Sequence, residues 1–318
     1  MIRFGILGCA AIAERMMIPA MQARADIVTC AGIASRDNRR AAAWSDRYGC
    51  RHFSDYPSLL ADPAIDAVYI PLPPALHAHW AAQALAAGKH VLCEKPLTTT
   101  SADTARLIAE AHRRHLGLLE NYMFLRHRQM AEVRRILAAG ILGDIQFLRA
   151  TFCFPPLPES DIRYRPELGG GGLLDAGGYT IAAAAAILGP SLRVVGATRT
   201  PRAAEQVDLA GSALLATPDG RTAQLAFGFT HHYQCELAIL GSAGKLTASR
   251  FFTAPPGLPT TLIVEHAKGR EEINVPGDNH FAAVLAEFTS RVTAFHFEDE
   301  WARAQQQADL VEAIRNFS

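Results

Sequence analysis

The sequence lacks several features that mark whole classes of protein. Its formal net charge at pH 7 is zero, so bulk charge gives no support for nucleic-acid binding. Its six cysteines include no C-x-x-C pair, a pattern that favours buried, reduced thiols in a cytosolic protein. The longest apolar run, residues 181–188, is far too short to span a bilayer, and no charged-then-apolar leader precedes Arg3. We therefore expect a cytoplasmic protein that binds neither nucleic acid nor membrane.

What is present is a chain long enough for two ordinary domains. The 318 residues are 49% hydrophobic and 19% charged, a composition typical of globular proteins with a large core. No internal repeat or low-complexity linker interrupts them. The pattern of predicted elements changes near residue 120, and this predicts one domain over residues 1–120 and a second over residues 121–318.

The first domain alternates short apolar runs with helical patterns. The predicted strands are Arg3–Leu7, Ile27–Ala34, Ala67–Leu72, His90–Cys93 and Leu116–Glu120. The predicted helices are Ala10–Ala23, Asn38–Tyr48, Ala75–Ala87 and Ser101–His115. Near-continuous apolar strands separated by helices indicate a parallel sheet covered on both faces. We predict an α/β domain with a doubly wound Rossmann fold.

The second domain is dominated by consecutive strands. After a helix over Arg128–Ala139, strand patterns recur from Ile145 to His266 with short turns between them, one of which is Pro218-Asp219-Gly220. Two helices, Phe281–Val292 and Trp301–Phe317, end the chain. This order predicts an α/β domain with an open, mostly antiparallel sheet.

The turn after the first strand has the pattern of a dinucleotide-binding site. Residues 8–13 read Gly-Cys-Ala-Ala-Ile-Ala, which matches G-x-G-x-x-G/A except that Ala10 replaces the second glycine. A strand that turns tightly into a helix presents free amides and the positive end of the helix dipole to a pyrophosphate. The methyl group of Ala10 is the smallest possible intrusion there. The alternative is an ordinary turn between a strand and a helix.

Residues after the second strand distinguish NADP(H) from NAD(H). Ser35 and Arg36 follow that strand, and Arg39 and Arg40 lie one turn further on. A hydroxyl followed by guanidinium groups suits a 2′-phosphate, so we predict NADP(H). Asp37 is an exception to this pattern, and its alternative role is to cap the following helix. The alternative for Arg36 and Arg40 is that they are solvated charges on the surface of the helix.

Two segments carry candidate reaction groups. Glu94-Lys95-Pro96 follows the fourth strand, at the edge where open α/β sheets bind ligands. In the second domain, residues 175–179 read Asp-Ala-Gly-Gly-Tyr and follow four consecutive glycines, Gly169–Gly172. With Arg163 and Arg165 just before it, this loop is a candidate cover for an oxygen-rich substrate, and a simple long loop is the alternative.

These motifs together resemble those of the Gfo/Idh/MocA oxidoreductase family, named after glucose–fructose oxidoreductase, inositol dehydrogenase and rhizopine catabolism. The matching segments cover nearly the whole chain and are Gly8–Ala13, Pro71–Pro73 with His77, Gly88–Pro96 and Asp175–Tyr179. Many members carry histidine where this chain has Tyr179. Tyrosine there is similar to the branch that contains dihydrodiol and xylose dehydrogenases and NADPH-dependent sugar 3-ketoreductases. Residues 161–175 look most like those ketoreductases, which act on nucleotide-linked sugars.

The resemblance implies a role for each matching residue. Tyr179 would exchange a proton with the oxygen of the sugar carbon that exchanges hydride with nicotinamide, and Lys95 would assist it with its charge, because a free phenol has a pKa of about 10. Asp175 would orient Lys95 or the sugar, and a cis bond before Pro96 is implied. The cofactor-binding residues would be Gly8, Cys9, Ala10, Ala11, Ile12, Ser35, Arg36, Arg40, Pro71, Leu72, Pro73, His77, Glu94, Lys95, Pro96 and Asn121. The substrate-binding residues would be Arg163, Tyr164, Asp175 and Tyr179.

Three functions remain open at this point. The first is an NADPH-dependent ketoreductase on a sugar, which the resemblance extends to a nucleotide-linked keto sugar of deoxysugar biosynthesis. The second is the same chemistry in the oxidative direction, on xylose or a diol. The third is a dinucleotide-sensing regulator without catalysis, although Lys95 and Tyr179 together favour an enzyme. The histidines show no zinc spacing, so we predict no metal site. Family members cover the open sheet by pairing subunits, so we expect a homodimer or homotetramer.

Overall fold

The computed structural model describes residues 1–202 and 207–317, and it divides into two compact units. The first unit consists of residues 1–121 and 281–305, and the second begins at residue 122, ends its main part at residue 280 and includes the residues from 306 onward. The first junction lies next to the predicted one. Residues 281–305 cluster with the first unit, whereas the sequence analysis placed them in the second domain.

The first unit is built on a six-stranded, fully parallel sheet in the order β3-β2-β1-β4-β5-β6. Its strands are β1 (Ile2–Leu7), β2 (Val28–Ala34), β3 (Arg51–Phe53), β4 (Ala67–Ile70), β5 (His90–Glu94) and β6 (Leu118–Asn121). Its first helices are α1 (Ile18–Ala23), preceded by a π-helical turn (Ala13–Met17), α2 (Asn38–Tyr48), α3 (Tyr56–Ala61), α4 (Pro74–Ala86) and α5 (Ser101–Arg114). The apolar strands are almost completely buried, as the predicted doubly wound Rossmann fold requires.

The second unit contains an eight-stranded sheet in the order β14-β13-β12-β11-β7-β10-β9-β8. After a 3₁₀ turn (Met123–Arg126), its elements in chain order are α6 (Arg128–Ala138), β7 (Ile145–Cys153), two 3₁₀ turns (Ile162–Tyr164 and Pro166–Leu168), a π-helical turn (Leu173–Gly177), α7 (Gly178–Leu188), β8 (Arg193–Arg202), β9 (Val207–Ala216), β10 (Thr222–Gly228), β11 (Gln234–Gly241), β12 (Gly244–Ser249), β13 (Thr260–His266) and β14 (Gly269–Val275). Among the described strands of this sheet, only β7 and β10 pair in parallel, so the predicted mostly antiparallel sheet is confirmed.

One helical stretch, residues 166–188, is long and apolar enough to be considered for a membrane span. However, 83% of its most apolar window is buried inside the structure. Its run of alanines from Ala182 to Ala185 is buried almost completely, which is the packing expected of a core helix with small side chains.

Two long helices end the described chain, α8 (His280–Ala294) and α9 (Glu298–Arg315). In the first unit, Phe288 of α8 contacts Phe4 of β1 with ring centroids 5.5 Å apart. Trp301 of α9 donates its indole N–H to the Leu118 carbonyl at 3.1 Å and stacks on Phe297. These contacts attach α8 and the start of α9 to the parallel sheet of the first unit.

Candidate functional site

The turn after β1 has the conformation that a pyrophosphate site needs. Gly8 has a φ of +107°, a conformation that favours glycine, and a Cβ there would lie 2.8 Å from Leu72 Cδ2 and would displace that side chain. The Gly8 amide donates to the Ala34 carbonyl at 2.8 Å, which fixes the turn against β2. The rest of the turn, Cys9, Ala10, Ala11 and Ile12, lies at the start of the helical segment, whose first amides have no acceptor within the helix.

The segment that follows β2, residues 35–40, carries more positive than negative charge. Ser35 is buried and accepts the amide N–H of Asp37 at 3.2 Å. The Asp37 carboxylate accepts the backbone N–H of Arg40 at 3.1 Å and so caps α2, which is the alternative that the sequence left open for it. Arg36, Arg39 and Arg40 are exposed. This arrangement suits a 2′-phosphate better than a bare 2′-hydroxyl.

His77 ties two of the predicted cofactor segments together. Its ring is buried, with Nε2 at 2.6 Å from the Leu72 carbonyl oxygen and Nδ1 at 2.7 Å from the Pro96 carbonyl oxygen. Burial lowers the pKa of His77, although the two carbonyls favour the protonated ring. His77 thus holds the Pro71–Pro73 and Lys95–Pro96 segments in place, and its direct contact with a cofactor stays a prediction.

A buried carboxylate fixes the segment that carries Lys95. Glu94 accepts a hydrogen bond from the Tyr69 hydroxyl and another from the Asn121 amide, both at 2.7 Å. Burial raises the pKa of Glu94, while these donors and the Lys95 charge act to lower it. The peptide bond between Lys95 and Pro96 is cis, as the family resemblance implied.

Two observations in this unit fit a bound dinucleotide. The first is the positive φ of Gly8, which gives the tight turn that a pyrophosphate site needs. The second is the side-chain amide oxygen of Asn121, Oδ1, which is buried and has no hydrogen-bond partner among the described residues. A buried acceptor of this kind is costly unless a ligand or water supplies a donor. The residues present therefore fit the predicted cofactor.

In the second unit, Tyr179 lies in the first turn of α7 within a set of aromatic rings. The four neighbouring rings have centroids 5.1 to 6.0 Å away and belong to Tyr122, Phe124, Phe152 and Phe252. The Tyr179 hydroxyl donates to the Met123 sulfur at 3.6 Å. A thioether is a weak acceptor, so the hydroxyl can exchange this contact for a stronger one to a substrate oxygen.

Asp175 forms an ion pair with Arg163. The Arg163 Nε donates to Asp175 Oδ2 at 2.6 Å, and its Nη1 donates to Asp161 Oδ1 at 3.1 Å. Burial acts to lower the pKa of Arg163, but the two carboxylates outweigh it and the pKa is raised. The guanidinium charge is therefore largely neutralised within its own loop. Arg163 is thus one partner of Asp175, and the predicted role of Asp175 in orienting Lys95 or the sugar stays a prediction.

Tyr164 has a packing position in the same loop. It is buried, its hydroxyl accepts the Leu157 amide at 3.1 Å, and its ring lies edge-on to Phe229 at 5.4 Å. These contacts order the segment between β7 and α7. The predicted contact of Tyr164 with substrate stays a prediction.

Sequence reasoning missed several residues around the helical segment that carries Tyr179. The Gln307 amide donates to the Gly178 carbonyl at 2.8 Å and to the Tyr122 hydroxyl at 3.1 Å. Asp208 accepts the Leu173 amide. No local motif marks Gln307 or Asp208, and the only signal for Tyr122 was that it lies two residues after the fifth predicted strand. Among the described residues, no group of three or more His, Cys, Asp or Glu side chains is placed to hold a metal ion.

Comparison with known families matches both units. The model described as "Oxidoreductase family, NAD-binding Rossmann fold" (Gfo/Idh/MocA) matches residues 2–122. The model of the Gfo/Idh/MocA C-terminal domain matches residues 130–247.

Individual relatives extend over almost the full chain. A dTDP-3,4-didehydro-2,6-dideoxy-α-D-glucose 3-reductase of Saccharopolyspora spinosa is 43% identical, over 98% of this chain and 96% of its own. The crystal structure of a 3-ketoreductase from Actinomadura kijaniata with NADP and TDP-benzene has a TM-score of 0.95 and 42% identity, over 99% of this chain and 97% of its own. A D-xylose 1-dehydrogenase (NADP(+)) of Haloferax volcanii is 38% identical over 80% of this chain and 77% of its own. The Actinomadura protein has also been solved with a tyrosine replaced by phenylalanine, and with a lysine replaced by glutamate or alanine.

Proposed function

The chain belongs to the Gfo/Idh/MocA family of oxidoreductases, and from this membership we propose that it reduces the 3-keto group of a dTDP-linked keto deoxysugar with NADPH. The predictions of the family, of an NADP(H)-dependent oxidoreductase and of a sugar ketoreductase are confirmed. The observation that carries the proposal is the 43% identity, over 98% of the chain, to a 3-reductase of that sugar class.

In the proposed reaction, bound NADPH supplies the hydride that the carbonyl carbon accepts. Tyr179 donates its phenolic proton to the carbonyl oxygen, so the ketone gains one hydride and one proton and becomes an alcohol. A phenol with a pKa of about 10 is a weak acid near neutrality, so the anion that forms as the proton leaves needs stabilisation. We assign Lys95 to stabilise that anion with its ammonium charge.

The assignment of these two residues has support from the Actinomadura structures. The lysine and the tyrosine replaced there are separated by the same number of residues as Lys95 and Tyr179. Equal spacing in a chain that is about 40% identical over its full length favours equivalent positions.

The remaining site residues divide between the two units. We assign the turn at Gly8, together with Ser35, Arg36 and Arg40, to the pyrophosphate and the 2′-phosphate of the cofactor. Glu94 and Asn121 hold the Lys95 segment, and we assign the buried side-chain oxygen Oδ1 of Asn121 to accept a hydrogen bond from the cofactor. In the second unit, we assign Asp175 to substrate orientation. Because Arg163 is neutralised by Asp161 and Asp175, we assign it to ordering this loop.

The test is turnover with defined substrates. The purified protein is incubated with NADPH and dTDP-3,4-didehydro-2,6-dideoxyglucose, NADPH absorbance is followed, and the product is identified by NMR. We expect NADPH consumption and a new hydroxyl at C3. A second reaction with NADP⁺ and D-xylose tests the oxidative alternative, which the Haloferax relative favours. Turnover only in the second reaction would overturn the proposal, and turnover in neither would favour a regulator.

We further propose that two copies of the chain pair through the open face of the eight-stranded sheet. On the four neighbouring strands β7, β10, β9 and β8, this face forms a depression of about 490 Å³ that is lined by residues including Arg149, Thr151, Leu214 and Gln224. Leu214 is 38% exposed. Covering such a face is a common reason for subunit pairing. Light scattering should find a dimer or tetramer that Leu214→Glu dissociates, whereas Leu258→Glu, at a leucine 36% exposed in a loop, should not. A monomeric wild type would refute this pairing.

We place the enzyme in the cytoplasm. All six cysteines are free thiols in the described chain, and Cys9, Cys93, Cys153 and Cys235 are buried. Reduced thiols of this kind are typical of a reducing compartment. Fractionation of cells that express the protein tests this placement, and recovery from the periplasm would contradict it.

A further inference from the structure

Asp208, at the start of β9, holds the beginning of the helical segment that leads to Tyr179. Its Oδ2 accepts the backbone N–H of Leu173 at 2.6 Å. Leu173 begins the π-helical turn that continues into α7, and Gly172 before it provides no side-chain cap. The first amides of a helix need acceptors from elsewhere. Asp208 therefore acts as an N-cap supplied by a distant strand.

The glycine-rich loop is shaped to fit this carboxylate. Gly171 has a φ of +112°, and a Cβ there would lie 2.6 Å from Asp208 Oδ1. A Cβ at Gly172 would lie 3.0 Å from the Leu209 carbonyl oxygen. Only residues without a side chain allow the loop to approach the start of β9 this closely.

The same loop connects Asp208 to the Asp175 ion pair. The Gly171 amide donates to the Arg163 carbonyl at 2.9 Å, and the Arg163 guanidinium binds Asp175. Asp208, Gly171, Arg163 and Asp175 thus form one continuous set of contacts within the second unit. A change at Asp208 reaches both the backbone before Asp175 and the side chain that binds it.

We propose that Asp208 is a positioning residue for the reaction: it fixes the start of the helical segment so that Asp175 and Tyr179 keep their orientation. These two residues are four apart in helical backbone, so they lie on one face of the segment. Their side chains therefore turn together if the start of the segment moves. The proposal rests on the catalytic role proposed for Tyr179.

Two substitutions at Asp208 and one control test this. Asp208→Ala removes the cap, whereas Asp208→Asn keeps an oxygen that caps about as well as a carboxylate. Asp219→Ala is the matched control, because that exposed carboxylate bonds to Arg221 in the turn after the same strand. The measurements are kcat and KM for the dTDP-linked keto sugar, NADPH affinity by fluorescence, and amide hydrogen exchange over residues 173–179.

We expect Asp208→Ala to lower kcat at least tenfold, to accelerate exchange at Leu173 and to leave the NADPH dissociation constant unchanged. Asp208→Asn should recover most of kcat, and Asp219→Ala should match the wild type. Gly171→Ala gives a second test if Asp208→Ala fails to fold, since its methyl group displaces the carboxylate. Gly189→Ala, with a φ of +95° and nothing within 4 Å of the added carbon, is its control.

Wild-type kcat in Asp208→Ala, or unchanged exchange at Leu173, would show the proposal to be wrong. Equal loss of kcat in Asp208→Ala and Asp208→Asn would also overturn it, because the cap survives in the second variant. If the wild type itself leaves the keto sugar unreduced, the proposed function fails instead. The exchange measurement then still decides whether Asp208 caps the segment.

Discussion

Replacing Tyr179 with phenylalanine separates the chemistry of its hydroxyl from the packing of its ring. The ring contacts to Tyr122, Phe124, Phe152 and Phe252 survive the change. The hydroxyl donates to the Met123 sulfur at 3.6 Å, and because a thioether is a weak acceptor, the loss of this contact should cost less than about 1 kcal/mol of unfolding free energy. For a unit of this size, that shifts Tm by less than about 4 °C.

The effect on catalysis should be far larger. A positioned general acid contributes about 10²- to 10⁴-fold, so we expect Tyr179→Phe to lower kcat by that factor while NADPH still binds. Steady-state kinetics with the dTDP-linked keto sugar measure kcat, and fluorescence titration measures NADPH affinity. Differential scanning fluorimetry checks that the variant is folded.

The neighbouring Tyr122 provides the matched control. Its hydroxyl accepts the Gln307 amide at 3.1 Å, so Tyr122→Phe should cost about 1 kcal/mol of stability. Even if that whole cost fell on the transition state, kcat would change by less than about tenfold. If Tyr179→Phe loses no more activity than Tyr122→Phe, the proton donor is another group and the mechanism must be revised.

Three further substitutions test the first unit. Arg36→Ala should weaken NADPH binding roughly tenfold more than NADH binding, whereas the control Arg47→Ala, at the far end of α2, should weaken neither selectively. Equal losses of NADPH and NADH affinity in Arg36→Ala would contradict the 2′-phosphate assignment. Gly8→Ala should abolish NADPH binding because of its positive φ and the close Leu72 side chain, whereas Gly49→Ala, with a φ of +66° and open space, should lower only stability. Burial raises the pKa of Glu94 above its ordinary value of about 4.5, so between the unfolded-state and folded-state pKa values the folded state binds more protons than the unfolded state. Wild-type stability therefore falls as pH rises through that interval. Glu94→Gln keeps an acceptor oxygen for both donors, so the stability of this variant relative to wild type should increase with pH over the same interval. Urea unfolding measures the two stabilities, and a difference between them that does not change with pH would contradict the raised pKa of Glu94.

Local patterns predicted elements well where the signal lies within a few residues. The helix predicted over Asn38–Tyr48 has those bounds in the structure, since Asp37 caps its start and Gly49 ends it in the left-handed conformation. The strands β3 and β14 were missed. β3 has only three residues, two of them exposed, and β14 is mostly polar and exposed, so neither has an apolar run to detect.

The sequence by itself determined the family, the fold class and the cofactor, because these follow from local motifs and from the alternation of strand and helix patterns; the roles of Lys95 and Tyr179 in the reaction stay predictions. Only the tertiary structure decided that Asp175 binds Arg163 and that Asp208, 35 residues further along the chain, caps Leu173. Such partners depend on which strands become neighbours and in what order. Periodicity and propensity along one chain report the burial of each residue, and they carry no information about which distant residue fills the space beside it.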